Sequence, residues 1–452
     1  MKNLFNYINK PVSIAPLATF RVLFGFIMLM SMIRFMANGW INEQYVAPQF
    51  FFTYFGFDWV KPLGAFGMHA LFIVLALSAF MIMIGGYYRI FSTLFFLGFT
   101  YVELIDKTNY LNHYYFVSIV SFLMIWVPAN RYFAIDILRK PSLKVSQVPL
   151  WIIGIFKLQL GLVYFYAGVA KLNPDWLLEA LPLKIWLPAN EHFPIIGNFF
   201  KYTWVAYVFS WFGAIYDLTI PFFLLNSKTR KYAYIAVIAF HVITRLLFPI
   251  GMFPFIMILA TLIFFSEGFH HKFIALLSGA LRKAKLWISS PEPSETKIFK
   301  FPYQRIVLSL FVLHFVIQIF LPWRFTLYPD KLFWTEEGFR FSWRVMLIEK
   351  AGYVIFHITD PDSGRAGEVY ASDYLTPNQE KMMSTQPDMI LQFAHYIGEQ
   401  YQKKGIENPE IRAEAYVTLN GSGNRPFLDK TVDLMKVKES FGHKDWILPF
   451  KK

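Results

Sequence analysis

The chain has 452 residues with 56% hydrophobic, 20% aromatic and only 16% charged side chains, and a mean hydropathy of +0.40, far more apolar than a soluble chain of this length needs to be. The net charge of +13 invites a nucleic-acid reading, but from Trp323 onward 17 Lys and Arg meet 18 Asp and Glu, so the excess lies in the apolar part and no nucleic acid is expected as a partner. Cysteine is absent, which excludes disulfide frameworks, thiolate metal sites and cysteine nucleophiles.

In chain order, Met1 to Ser13 lacks a short apolar core followed by a small-residue cleavage site, so the first helix itself is expected to direct insertion. Stretches long enough to cross a hydrocarbon core fall at 14–38, 62–86, 90–106, 113–130, 150–170, 202–225, 232–248, 250–266 and 304–322. They predict about nine spans. With the N-terminus in the cytoplasm, Arg89, the 131–144 cluster, Lys228 to Lys231 and Lys272 to Lys285 all fall in inner loops, whereas the outer loops are acidic. The outer connections Trp40 to Val60 and Trp176 to Phe199, rich in Trp, Phe and Pro, are expected in the membrane interface, and Ser289 to Pro302 reads as a linker. Beyond Pro322, alternating segments such as Tyr353 to Thr359 and Ala413 to Leu419 are separated by the turn formers of 360–364 and 420–424, and Pro387 to Lys404 is amphipathic. The expected architecture is an α-helical polytopic membrane bundle (1–322) followed by a small α+β, β-rich extracytoplasmic domain (323–452).

Ionisable groups inside a membrane bundle are costly unless paired or hydrated, which makes Arg21, Arg34, Glu103, Asp106, Lys107, His113, Lys157, Lys171, Asp217, His241, Arg245 and His314 candidates. His113 begins the fourth span and Lys171 ends the fifth, so both belong to the outer side and can share a site. His241, about 14 Å up its span, would form the floor of a pocket opening outward. Plainer readings stand beside these: a snorkelling Lys171, a His241 bonded between helices, and an aromatic belt around His113. Arg21, Lys157 and Asp217 lie towards the inner half and read as interhelical pairs. His270 and His271 have no further ligand at metal spacing, and no GxSxG, P-loop, GxGxxG or HExxH pattern occurs.

The run Leu104-Ile-Asp-Lys-Thr-Asn-Tyr-Leu-Asn-His113-Tyr resembles the LDKT…NNH segment of vitamin K-dependent γ-glutamyl carboxylases. Phe165-Tyr-Ala-Gly-Val-Ala-Lys171-Leu-Asn-Pro-Asp-Trp176 is similar to that family's FIAGVKKLDADW, and Phe240-His241 followed by Phe248-Pro-Ile-Gly-Met-Phe253 is similar to its FH…FSIGMF. Shorter matches at Phe20 to Gly25, Tyr88 to Ile90, Val148 to Trp151, Phe341 to Trp343 and Gly364 to Glu368 keep the same order.

The resemblance implies that Lys171 is the base that deprotonates vitamin K hydroquinone, assisted by Asn112, His113 and His241. It implies quinol or substrate binding at Met252, Phe253, Phe341 and Trp343, and no metal. A lysine has an ordinary pKa near 10.4, which burial lowers, giving an amine able to take a quinol proton. Such an amine is too weak for the γ-proton of glutamate; the family therefore couples oxidation of the quinol by O₂ to formation of a far stronger base, away from water. The carbanion captures CO₂, supplied from bicarbonate, and the quinone leaves as its epoxide. Implied partners are membrane lipid, a lipid-soluble quinol and a glutamate-containing peptide or protein. Departures include Ala170 where the vertebrate enzyme has lysine, Phe339-Arg-Phe-Ser-Trp343 in place of Tyr-Gly-Tyr-Ser-Trp, and the missing cysteines. Two alternatives stay open: a quinol epoxidase without carboxylation, and a non-catalytic membrane binding protein or transporter, although no internal repeat favours transport. A bacterial inner membrane is the expected location.

Overall fold

A computed structural model describes residues 2–284 and 297–451. The bundle comprises α1 (Ala15–Ala37), α2 (Gly64–Ile84), α3 (Tyr88–Ile105), α4 (Asn112–Trp126), α5 (Leu150–Ala170), α6 (Thr203–Leu225), α7 (Arg230–Leu247), α8 (Phe253–Thr261), α9 (Glu267–Lys283) and α10 (Gln304–Phe320). These apolar segments form helices because a helix satisfies its own backbone polar groups where no water is available. Of the expected linker, residues 289–296 lie outside the described part.

Helices occur at all nine expected positions, but a count of nine spans is not reached. Among the described residues six are long and apolar enough to cross a membrane, or seven if the bent α8–α9 pair is one span. The fourth position, α4, has only 15 residues, because Val127 adopts the extended conformation that Pro128 favours in its predecessor. The seventh, α7, has 18 residues but carries Arg230, Lys231 and Arg245. The eighth continues past α8 as a short 3-10 turn to Phe264 and then bends by 119° into α9. Hydropathy registers apolar residues without registering where the helix breaks.

Close helix contacts are made at glycines. A Cβ on Gly25 would lie 2.4 Å from the backbone nitrogen of Met83, and one on Gly168 would lie 2.7 Å from that of Leu218. Gly168 thus sets the approach of α5 to α6, the two helices that carry the buried ion pair described below. Gly168→Ala is expected to force these backbones apart and cost about 1–3 kcal/mol; an unchanged midpoint of thermal unfolding in detergent would refute the claim.

A short antiparallel ribbon of β1 (Pro11–Ser13) and β2 (Gln147–Pro149) ties the entry of α1 to that of α5. The C-terminal sheet is antiparallel in the order β4-β3-β5-β6, with β3 at Lys350–Thr359, β4 at Ala366–Val369, β5 at Glu410–Leu419 and β6 at Arg425–Pro426. Along β5, Ile411, Ala413, Ala415, Val417 and Leu419 are buried, the period of two that one covered face requires. They pack on α11 (Pro387–Lys403), whose Met389, Ile390, Phe393 and Ile397 are buried, so the expected strands and amphipathic helix are present.

This domain sits on the end of the bundle where α3 meets α4 and α5 meets α6. Asp388 on α11 grips Lys107 of the α3–α4 loop at 2.9 Å and Arg340 at 2.7 Å, and Lys331 reaches Asp175 at 2.9 Å. Burial alone would raise the Asp388 carboxyl, but Arg340 and then Lys107 outweigh it and hold the group well below the usual carboxylate range. The aromatic loop 40–60 is partly roofed by the domain: Gln379 donates to the Phe50 carbonyl at 2.7 Å and Gln392 to that of Thr53 at 3.0 Å. Part of each loop expected at the interface stays exposed, including Trp59 at 71% and Ile195 at 95%.

Candidate active site

The end of α5 is built to present Lys171. Asn173 precedes Pro174 and takes an extended conformation, which stops the helix, and its side chain then accepts from the Trp176 backbone at 3.0 Å to start the next turn. Lys171 is the C-cap of α5, and its side chain folds back to donate to the Ala167 carbonyl at 3.2 Å and across to Asp217 on α6 at 2.7 Å. The Trp176 ring lies 5.4 Å from the ammonium, fixed by its indole N–H donating to the Ser210 carbonyl at 2.8 Å. Both members of the pair are buried, with side chains 8% and 7% exposed. An ion pair this dry is held by its mutual charge and hydrogen bonds, because neither group is stable there alone.

The pair lines a chamber of about 100 Å³ walled by Trp176, Trp186, Phe209, Phe240, Phe248 and Phe253. The same chamber is lined by His241, 1% exposed, whose Nε2 meets the Tyr164 hydroxyl at 3.2 Å. Its Nδ1 has no partner among the described residues. A buried nitrogen in that state costs free energy unless a ligand or water bonds to it.

Asn112 and His113 occupy the first turn of α4, set by the preceding Asp-Lys-Thr: Asp106 accepts from the Thr108 backbone at 2.9 Å and closes a 3-10 turn over Lys107–Asn109. The Asn112 amide donates to the Arg344 carbonyl at 2.9 Å and accepts from the Tyr110 hydroxyl at 3.1 Å. Both residues, with Met252, line a vestibule of about 640 Å³ between the bundle end and the C-terminal domain. Chamber and vestibule share the wall formed by Ile250, Phe253, Val345 and Met346. Phe253 is the divider: its ring lies 5.9 Å from that of His113 and 5.6 Å from that of His241. It is placed there because Pro249 ends α7 at Phe248 and Gly251, with φ of +59°, turns the chain into α8.

The expected residues therefore gather in two adjoining spaces rather than one. Phe341 and Trp343 line neither. Phe341 faces a third, aromatic cavity of about 310 Å³ that contains Glu103, and Trp343 is buried against Tyr115 with ring centroids 4.9 Å apart. Arg21, Lys157 and Asp217 do not pair with one another. Arg21 donates to the Phe133 carbonyl and Lys157 lies 6.0 Å from the Phe264 ring centre, whereas Asp217 does form the expected kind of interhelical pair, with Lys171 at the end of α5. Asp217 is the residue whose role was missed: an intramembrane carboxylate demanded a partner, but 46 positions separate it from Lys171 and nothing local linked them. Tyr164 and Trp186 carried no signal. Among the described residues no group of His, Cys, Asp and Glu has metal-binding geometry.

This is a polytopic membrane protein in which a buried amine–carboxylate pair and a histidine line an apolar chamber that shares a wall with the space under the C-terminal domain. A family model of the HTTM domain matches residues 9–269, and one of the vitamin K-dependent gamma-carboxylase lumenal domain matches residues 303–452. The chain belongs to the vitamin K-dependent γ-carboxylase family. No solved structure matches it.

Proposed function

We propose that the protein is a γ-glutamyl carboxylase-like enzyme that couples O₂-dependent conversion of a hydroquinone to its epoxide with carboxylation of glutamate. The observation that carries this reading is the buried Lys171–Asp217 pair lining an aromatic chamber that adjoins a polar vestibule. The residues suit a reduced naphthoquinone: aromatic walls for the ring, and Lys171, Asp217 and the unsatisfied Nδ1 of His241 for its hydroxyls. A chamber of about 100 Å³ is smaller than the space of about 300 Å³ or more that a drug-sized ligand occupies. It therefore takes the reacting edge, and the remainder extends past Phe253 towards Met252 and the vestibule.

Such a quinol, oxidised by O₂, supplies the strong base that removes the γ-proton before CO₂ is captured. The chain's own residues manage protons and water. Lys171 and Asp217, 2.7 Å apart, are placed to act as one acid–base unit. A quinol hydroxyl brought to the pair meets a proton acceptor in the carboxylate and a proton donor in the ammonium 2.7 Å from it. Tyr164 orients His241, and Tyr110 with the Arg344 carbonyl orients Asn112 at the vestibule floor beside His113. The aromatic walls exclude the water that would quench a strong base. In this reading the N-terminus is cytoplasmic, the C-terminal domain extracytoplasmic, and the membrane a bacterial inner membrane.

The test is purified protein with anaerobically prepared vitamin K hydroquinone, O₂, ¹⁴C-bicarbonate and a glutamate peptide, scoring epoxide and fixed label separately. Both products are expected. Epoxide without label identifies the quinol epoxidase alternative, and neither product, after other quinols and peptides, identifies the binding protein. The chamber has its own test at Gly213, where an added Cβ would lie 3.7 Å from Trp176 and 3.8 Å from Lys171. Gly213→Val is expected to narrow the chamber and raise the quinol KM about tenfold with little change in thermal midpoint. An unaltered KM would place the quinol elsewhere.

A further inference from the structure

The vestibule wall carries four cations, Arg34, Lys107, Arg245 and Arg340, and one acid, Glu336. Most of this charge is already matched. Asp388 holds Lys107 and Arg340, and Glu336 holds Lys350 at 2.9 Å. Arg34 and Arg245 remain: among the described residues neither side chain takes part in an ion pair or a hydrogen bond, and Arg34 is merely steadied by the Trp40 ring, 4.6 Å from its guanidinium carbon. They come from different helices, α1 and α7, near the ends closest to the C-terminal domain. Two unmatched guanidiniums thus face a space that contains Asn112 and His113 and shares the wall of Ile250, Phe253, Val345 and Met346 with the Lys171 chamber.

We infer that Arg34 and Arg245 form the carboxylate-binding site for the acidic side chain of the peptide substrate, holding it in the vestibule against the wall of the reaction chamber. A guanidinium is the side chain best suited to grip a carboxylate through two parallel hydrogen bonds while keeping its charge. Two of them suit the reaction, because carboxylation turns one side-chain carboxylate into two on the same carbon. With Asp388 and, 3.8 Å from Lys107, Glu439 set against Lys107 and Arg340, the remaining unmatched charge is that of Arg34 and Arg245, so an acidic side chain completes the vestibule where a neutral one leaves two cations unmatched. This inference rests on the carboxylase reading of the neighbouring chamber.

The test measures peptide binding without turnover. A fluorescent peptide containing glutamate, its glutamine analogue and its γ-carboxyglutamate analogue are titrated by anisotropy against the full chain in nanodiscs of neutral phosphatidylcholine, in the absence of quinol. Wild-type protein is expected to prefer glutamate over glutamine by about tenfold or more, and γ-carboxyglutamate further still. Arg34→Gln and Arg245→Gln should each erode the preference, the double variant should abolish it, and Arg34→Lys should restore part of it. Arg245 is exposed, so its variant tests the idea even if Arg34→Gln misfolds. Equal binding of glutamate and glutamine peptides by wild-type protein, or a preference that survives the double variant, overturns the inference. So does a result in which the variants change binding only in nanodiscs containing anionic lipid, which would make the arginines headgroup anchors. Glutamate-selective binding with no fixed label would leave this site standing while the carboxylase reading fell.

Discussion

Lys171→Ala is expected to abolish epoxide and fixed label together, by about a thousandfold or more, because it removes the amine and leaves the Asp217 carboxylate without a counter-charge in a dry wall. Asp217→Asn distinguishes a mere counter-ion from a proton store. If the carboxylate only neutralises Lys171, its loss should favour the uncharged amine and leave the rate intact. If the pair works as one acid–base unit, the rate should fall by about a hundredfold even though Lys171 is present. We expect the fall, with partial recovery in Asp217→Glu, which restores the carboxyl at a slightly different reach. Wild-type turnover in Asp217→Asn, in protein whose thermal unfolding is otherwise normal, would remove Asp217 from the chemistry.

Asp388→Ala should have the largest structural effect. It strips the shared partner from Lys107, whose side chain is 2% exposed, and from Arg340, 18% exposed, leaving Lys107 only the longer contact to Glu439 at 3.8 Å in the joint between domain and bundle. Unpairing a buried charge of this kind costs about 3–5 kcal/mol, so the C-terminal domain should loosen and become sensitive to limited proteolysis while the helices persist. The pH dependence has a definite sign. The folded-state pKa of Asp388 is depressed, against about 3.9 for an unfolded aspartate. Its contribution is therefore full above about pH 4 and declines as pH falls from there towards the folded value. Comparing thermal midpoints of wild-type protein and Asp388→Asn across this window should show the two converging in acid. A constant gap down to the lowest accessible pH would mean that the pair does not carry the joint.

Much of the site could be read in the sequence because its residues lie in short local runs. Asp106 caps the turn that aims Lys107 and Asn112, Asn173-Pro174 stops the helix at Lys171, and Pro249 with Gly251 places Phe253. Each is a backbone rule acting over a few positions, which is why the ordered motifs carried over. The strands and the amphipathic helix of the C-terminal domain were equally legible, since a face covered on one side imposes its own period. Phe341 and Trp343 show the limit: a matching run identified them, but they face a different cavity and a buried stack, and proximity in a motif does not say which space a side chain enters.

The sequence by itself determined an apolar helical bundle, strands and an amphipathic helix after it, and the family to which the chain belongs, because hydropathy, alternation and ordered motifs are properties of consecutive residues. The tertiary structure alone decided where the apolar helices break among the described residues, that Asp217 meets Lys171, and that the expected residues divide between a chamber and a vestibule with Phe253 between them. The last two outcomes depend on where helices break and how closely α5 approaches α6 at Gly168, and on contacts between residues tens or hundreds of positions apart, which no local pattern encodes.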